Sequence, residues 1–153
     1  MGIALYIQGY KKNQKSISGQ IEILGWYEVD LVQIENHKID GTFLVLHEDF
    51  NVFEFAAKRF YMFDFDDPGE LAFYQNIMNS MSGGGFRNEN GVFYGLMFDG
   101  GRILSIVSKI LDSFDLVQLE DGNKEQEKNN LIAFKRILEV IAENNGLVGM
   151  NLC

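Results

Sequence analysis

The sequence has little with which to staple, ligate or bind phosphate: one cysteine, one proline and two histidines in 153 residues. A single cysteine cannot close an internal disulfide, so the fold has to stand on its core. That cysteine, Cys153, is the last residue of the sequence, and chain ends are poor places for a nucleophile because they tend to move. Two histidines, His37 and His47, are too few for a histidine-rich zinc site. Basic residues are also scarce, 13 against 22 acids, for a net charge of −9. Binding nucleic acid needs clustered Lys and Arg, so that partner class is excluded. No apolar run approaches the length of a membrane span, which excludes a membrane partner. The opening MGIALYIQGYKK has its charges after its apolar run, the wrong order for a secretory signal. Tyr6 stands where a myristoylation pattern needs Ser or Thr. The expectation is a cytoplasmic protein without metal or cofactor.

What is present is apolar surface. Hydrophobic residues make up 46% of the chain and aromatics 13%, too much for a disordered segment. The length suits one domain, 1–153, able to bury roughly two-thirds of its unfolded surface. Residues 3–8 alternate Ile3, Leu5, Ile7 against Ala4, Tyr6, Gln8, which predicts a strand, and residues 9–19 read as a polar turn. From 21 to 31, Ile21, Ile23, Gly25, Tyr27, Val29 and Leu31 alternate with polar or mixed neighbours, which predicts one long half-buried antiparallel strand. Residues 36–41 read as a loop and 42–46 as strand. Residues 49–61 fit helix and strand spacing, with helix favoured.

Asp67-Pro68-Gly69-Glu70 marks a helix start: a capping carboxylate, proline at the first helical position, and an acid near the positive end. The helix should run to about Ser80 with Leu71, Tyr74, Ile77, Met78 and Met81 as its stripe. Asn90-Gly91 ahead of residues 92–98 predicts a hairpin, and Asp99-Gly100-Gly101 a further turn. Ile103, Ile106, Val107, Ile110, Leu111 and Phe114 have amphipathic-helix spacing, and 116–119 reads as a short strand. After a charged loop over 120–130, Leu131, Phe134, Ile137, Leu138 and Ile141 form a last helix that Asn145-Gly146 ends. The fold class expected is α+β, a mostly antiparallel sheet with three to four helices packed against it.

The charge is unevenly placed. Residues 28–70 hold eleven acids and three bases, a net −8, whereas residues 1–27 carry +2 and residues 71–153 carry −3. Seven of the thirteen phenylalanines lie in that acidic stretch. Acids interleaved with aromatics are either the solvated face of a core element or a surface that docks on a basic protein partner, with charge steering the encounter and aromatics anchoring it.

Catalytic signals are weak. Asp64 and Asp66 would project from one side of an extended chain as oxygen ligands for a divalent cation, but Asp67 is spoken for as a cap and the EF-hand spacing is absent. His47-Glu48-Asp49 sets an imidazole beside two carboxylates, yet no Gly-x-Ser-x-Gly elbow supplies a nucleophile. Ser82-Gly83-Gly84-Gly85 and Asp99-Gly100-Gly101-Arg102 lack the P-loop pattern; the second precedes a helix and could hold an anion weakly. Met78, Met81 and Met97 read as core filler.

ALYIQGYKK followed by QIEILGWYEV, within residues 4–29, resembles the first two strands of the haemolysin-coregulated tube proteins of bacterial secretion machines. That resemblance implies a structural, ring-forming subunit and carries no functional residue. Its proteins are largely β with one helix, unlike the three helical patterns here.

The leading expectation is a non-catalytic, acidic protein-binding module, such as an immunity or inhibitor protein that neutralises a basic toxin. Glu28, Asp30, Glu35, Asp40, Glu48, Asp49, Asp64 and Asp66 would supply the charge, and Trp26 or Tyr27 the anchor. The alternative is a small-molecule or hydrolytic site using His47, Asp64 and Asp66 with the Gly83–Gly85 or Gly100–Arg102 loops. The third is a structural subunit of a secretion or phage-like assembly.

Overall fold

The period-two pattern of the first residues becomes strand β1, Ile3–Tyr10. It buries Leu5 and Ile7 on one face and turns Tyr6 and Gln8 to the other. The computed structural model describes residues 3–21, 25–48, 63–82, 86–87, 89–114 and 124–152. Within these, the remaining strands are β2 Ile17–Ile21, β3 Trp26–Asp30, β4 Leu44–Glu48, β5 Phe86–Arg87, β6 Phe93–Asp99 and β7 Leu147–Leu152. Three α-helices accompany them: α1 Pro68–Ser82, α2 Gly100–Asp112 and α3 Lys124–Glu143. The strands form one antiparallel sheet in the order β2-β3-β6-β7-β1-β4, with β5 added to β6. The α+β class is therefore observed.

The two faces are filled differently. On one, here the helix face, Leu5, Ile7, Trp26, Phe98, Val148 and Met150 meet the apolar stripes of all three helices. On the other, the open face, Tyr10, Tyr27, Val29, Met97 and Leu147 pack with Ile34, and the half-buried Ile17 and Leu31 pack against them. Ile34 belongs to a short 3-10 turn over Gln33–His37, where a plain loop was expected from residue 36. Thr42, fully buried, repairs the edge between that turn and β4: the Gly9 N–H donates to its Oγ1 at 3.2 Å, and its hydroxyl donates to the Ile39 carbonyl at 2.6 Å.

Several boundaries correct the sequence reading. The long strand over 21–31 is two strands of a hairpin, because Gly25 takes a φ of +84° and Ile21 pairs back onto Trp26. The expected turn over 9–19 is shorter, since β1 continues to Tyr10 and β2 starts at Ile17. Helix α1 starts at Pro68 as its signal predicts, with the Gly69 N–H donating to Asp67 Oδ1 at 3.0 Å. Of the predicted stripe Ile77 is fully buried, but so is Phe73, which the stripe left out. The ring lies 6.3 Å from Trp26, 6.2 Å from Phe63 and 5.8 Å edge-on from Phe98.

Asp99 is not part of a turn but the N-cap of α2, accepting from the Arg102 N–H at 3.1 Å, and Gly100 is the first helical residue. A Cβ on Gly100 would meet Ile141 at 2.6 Å, so only glycine lets α2 start this close to α3. Helix α3 starts at Lys124, inside the expected charged loop. It closes on Asn145, whose φ is +50°, while the Gly146 N–H returns to the Ile141 carbonyl and the Asn145 N–H to Ala142. Strand β7 was not anticipated at all, yet it lies between β1 and β6. The expected helix over 49–61, the Gly83–Gly85 loop, the short strand over 116–119 and Cys153 fall outside the described residues.

Candidate functional site

Geometry places the most site-like feature in the sheet itself. Strands β6 and β7 pair at Phe98↔Val148 and Asp99↔Leu147, and the ladder goes no further. Beyond that point β7 stays with β1, while β6 stays with β3 and picks up β5 at Tyr94↔Phe86. Helix α1 packs across both diverging strands on the helix face. The result is a cleft of about 530 Å³, reaching between the strands to Asn79 and Ser80 of α1 and flanked on the open face by Tyr6, Gln8, Tyr10 and Phe43.

Each lining group has a local cause. Tyr6, Gln8 and Tyr10 are successive residues on the open side of β1. Phe43, 61% exposed, precedes β4 and brings its ring 6.5 Å from that of Tyr6, itself 39% exposed. Gln8 is held in place by donating to the Thr42 hydroxyl at 3.1 Å and the Gly9 carbonyl at 2.9 Å. Ser80 donates to the Ile77 carbonyl at 2.9 Å, so its hydroxyl serves α1. Gly149 contributes width because it contributes no side chain, whereas the space over Gly95 is taken by Leu31. Burial first, and then the nearby Glu35 carboxylate, push the Tyr10 hydroxyl up to about 12. Tyr10 therefore remains a neutral phenol at ordinary pH. Among the described residues the lining holds no acid, base, histidine or cysteine; it is aromatic, aliphatic and amide in character.

The sequence-derived site residues lie elsewhere. Trp26 and Tyr27, proposed as anchors, are 7% and 2% exposed, Trp26 in the helix-face core and Tyr27 in the open-face cluster. They hold the protein's own core and leave almost nothing for a partner. Glu28 and Asp30 are half-buried on β3, and the Asp30 Oδ1 accepts from the N–H groups of Val32 and Gln33. Glu35 is exposed and paired with Lys38 at 2.8 Å; Asp40 is exposed. Asp64 and Asp66 are exposed ahead of α1, and the Asp64 Oδ1 accepts from the Asp66 N–H at 3.0 Å. The Glu48 side chain and Asp49 lie outside the described residues, as does the His47 side chain.

Of the hydrolytic assembly, the His47 side chain and the Gly83–Gly85 loop lie outside the described residues, and neither Asp64 nor Asp66 is among the described residues lining the cleft. Asp64 and Asp66 precede the first turn of α1, whereas Asn79 and Ser80, roughly 17 Å along the same helix, line the cleft. Arg102 is already engaged, its Nη2 donating to Glu70 Oε1 at 2.9 Å and its guanidinium lying 4.1 Å from the Phe73 ring centre. With Asp99 over its first turn, the α2 N-terminus presents a carboxylate where an anion would sit. Among the described residues, no three His, Cys, Asp or Glu gather as a metal site, and no helix is long and apolar enough to cross a membrane.

Sequence reasoning missed Tyr6, Tyr10, Phe43 and Gly149. Some signal existed in β1, whose second face carries Tyr6, Gln8 and Tyr10 where an ordinary solvent face would carry charges. The chain matches no protein-family model, no curated protein and no solved structure.

Proposed function

We propose that the protein is a non-catalytic, acidic binding module that docks on a basic protein partner, in the manner of an immunity or inhibitor protein neutralising a toxin. The observation that carries this reading is the run Asp64-Phe65-Asp66-Asp67, exposed throughout, with Phe65 46% exposed between carboxylates. Phe65 leans on Tyr74 at 5.2 Å, which holds the ring in place on the surface. A fixed aromatic ringed by acids combines an anchor with charge steering. Phe65 takes the place that Trp26 and Tyr27 vacate. Asp40 adds to the same acidic character, and no described basic side chain pairs with Asp40, Asp64 or Asp66.

The test is capture of partners by the full chain from its source cell, repeated with Asp66→Lys and Phe65→Ala. Raising salt from about 0.1 M to about 1 M shortens the Debye length from about 10 Å to about 3 Å. A specific partner should be lost across that range and lost in both variants while their folding is unchanged. Capture that ignores salt, or that survives both substitutions, overturns the reading.

A further inference from the structure

The split between β6 and β7 has an internal logic that the acidic run does not share. Hydrogen-bonding direction alternates along a strand. The Asp99 N–H donates to Gly25 on the β3 side, and the Gly100 N–H donates to Gly146 on the β7 side. Even-numbered residues of β6 therefore address β7. Phe98 finds Val148 there, and Tyr94, beyond the reach of β7, finds Phe86 of β5. Leu96 lies between them. Register places Met150 opposite it, and that pair is not formed. The N–H and C=O of Leu96 thus point toward the Met150 side of the cleft, at the first rung the β6–β7 ladder does not form.

The walls select against charge. No described lining residue is ionised at neutral pH, so a charged ligand would shed its hydration against these walls without a counter-ion among them. The volume of about 530 Å³ falls within the range that holds small ligands. Tyr6 and Phe43 offer aromatic faces at the opening, and the buried Tyr10 lines the cleft from within the open-face cluster. Gly149 sits on the same face as Tyr10: a Cβ there would touch Met97 Cε and Tyr10 Cε2, each at 3.4 Å, so a longer side chain would grow into the cleft.

We infer that the β6–β7 split binds an uncharged, flat small molecule with an amide or lactam edge, its ring against Tyr6, Tyr10 and Phe43 and its edge completing the rung between Leu96 and Met150. This goes beyond the docking function proposed for the acidic run and uses none of its residues.

The test titrates naphthamide, naphthoate and naphthylmethylamine, matched in shape, into the nitrogen-labelled full chain and follows backbone amides. Naphthamide should shift Gly95, Leu96, Gly149 and Met150 saturably, with both charged isosteres binding at least about tenfold more weakly. Gly149→Leu should fill the cleft and weaken naphthamide by at least about tenfold with the remaining spectrum preserved. Should that variant not fold, Phe43→Ala serves instead, since Phe43 is exposed; it should weaken naphthamide severalfold. No saturation at millimolar naphthamide, equal binding of the charged isosteres, or shifts centred on residues 64–67 would each overturn the proposal.

Discussion

The two faces of one sheet have been put to different uses. Among the described residues, twenty buried hydrophobics from strands and all three helices form one cluster on the helix face. On the open face the corresponding described cluster has six, with Ile34 of the 3-10 turn and half-buried Ile17 and Leu31 at its margin, and beside it lies the cleft. The residue types differ as well as the numbers. Leu, Ile, Val and Phe fill the first, whereas Tyr6, Gln8, Tyr10 and Asn151 on the second tolerate water at one end and apolar contact at the other. Among the described residues, the larger core lies on the helix face, and the cleft lies beside the smaller one.

That division is most easily broken at Phe73. Phe73→Ala removes the ring around which Trp26, Phe63, Phe98 and the Arg102 guanidinium are arranged, in a site with no solvent exposure. Large-to-small changes at such sites cost about 3–5 kcal/mol, from lost transfer energy and the cavity left behind. Chemical denaturation should show that loss. A cost under about 1 kcal/mol would mean that the helix face is not the stabilising one.

The same contrast explains what could be read in the sequence. Helix α2 was legible because Ile103, Ile106, Val107 and Ile110 obey a helical period and all become buried. The start of α1 was legible because Asp67-Pro68 solves a local problem, the unpaired N–H groups of a first turn, that needs no tertiary context. Phe73 was overlooked because the packing of α1 against β6 and β7, which decides its inner side, is a tertiary fact. Strand β7 was overlooked because Gly149 and Asn151, residues disfavoured in strands, face the cleft and weaken its pattern. Gly25 was read as one more strand position, since nothing local distinguishes alternation through a strand from alternation across a tight hairpin. The acidic stretch was legible as charge but not as a surface, because composition does not say which aromatic beside an acid is buried. Trp26 is and Phe65 is not.

A smaller effect belongs to the open face. An unfolded tyrosine ionises near pH 10, whereas Tyr10 in the folded protein does so at about 12. Below pH 10 both states keep the proton and the stability is fully present. Between the two values only the unfolded state releases it, so stability falls as pH rises, by about 3 kcal/mol at most. Tyr10→Phe cannot show this loss. Denaturation of wild type and variant at about pH 9 and about pH 11 should give a stability difference that moves by about 1 kcal/mol in favour of the variant. A difference indifferent to pH would mean that water reaches this hydroxyl freely and that the open face is looser than its cluster suggests.

The smallest effect sharpens the comparison most. Phe43 is as large and apolar as Phe73, but it is 61% exposed and its described ring neighbour is Tyr6 at 6.5 Å, also partly exposed. Little of its surface leaves water on folding, so Phe43→Ala should change stability by no more than about 0.5 kcal/mol. The same substitution should weaken naphthamide severalfold, because the ring closes one side of the cleft. A phenylalanine whose loss costs binding but not stability is held at the surface for contact. Were Phe43→Ala instead to unfold the protein as Phe73→Ala does, the ring would be core and the cleft merely a gap in its cover. The two variants, denatured side by side, decide between these.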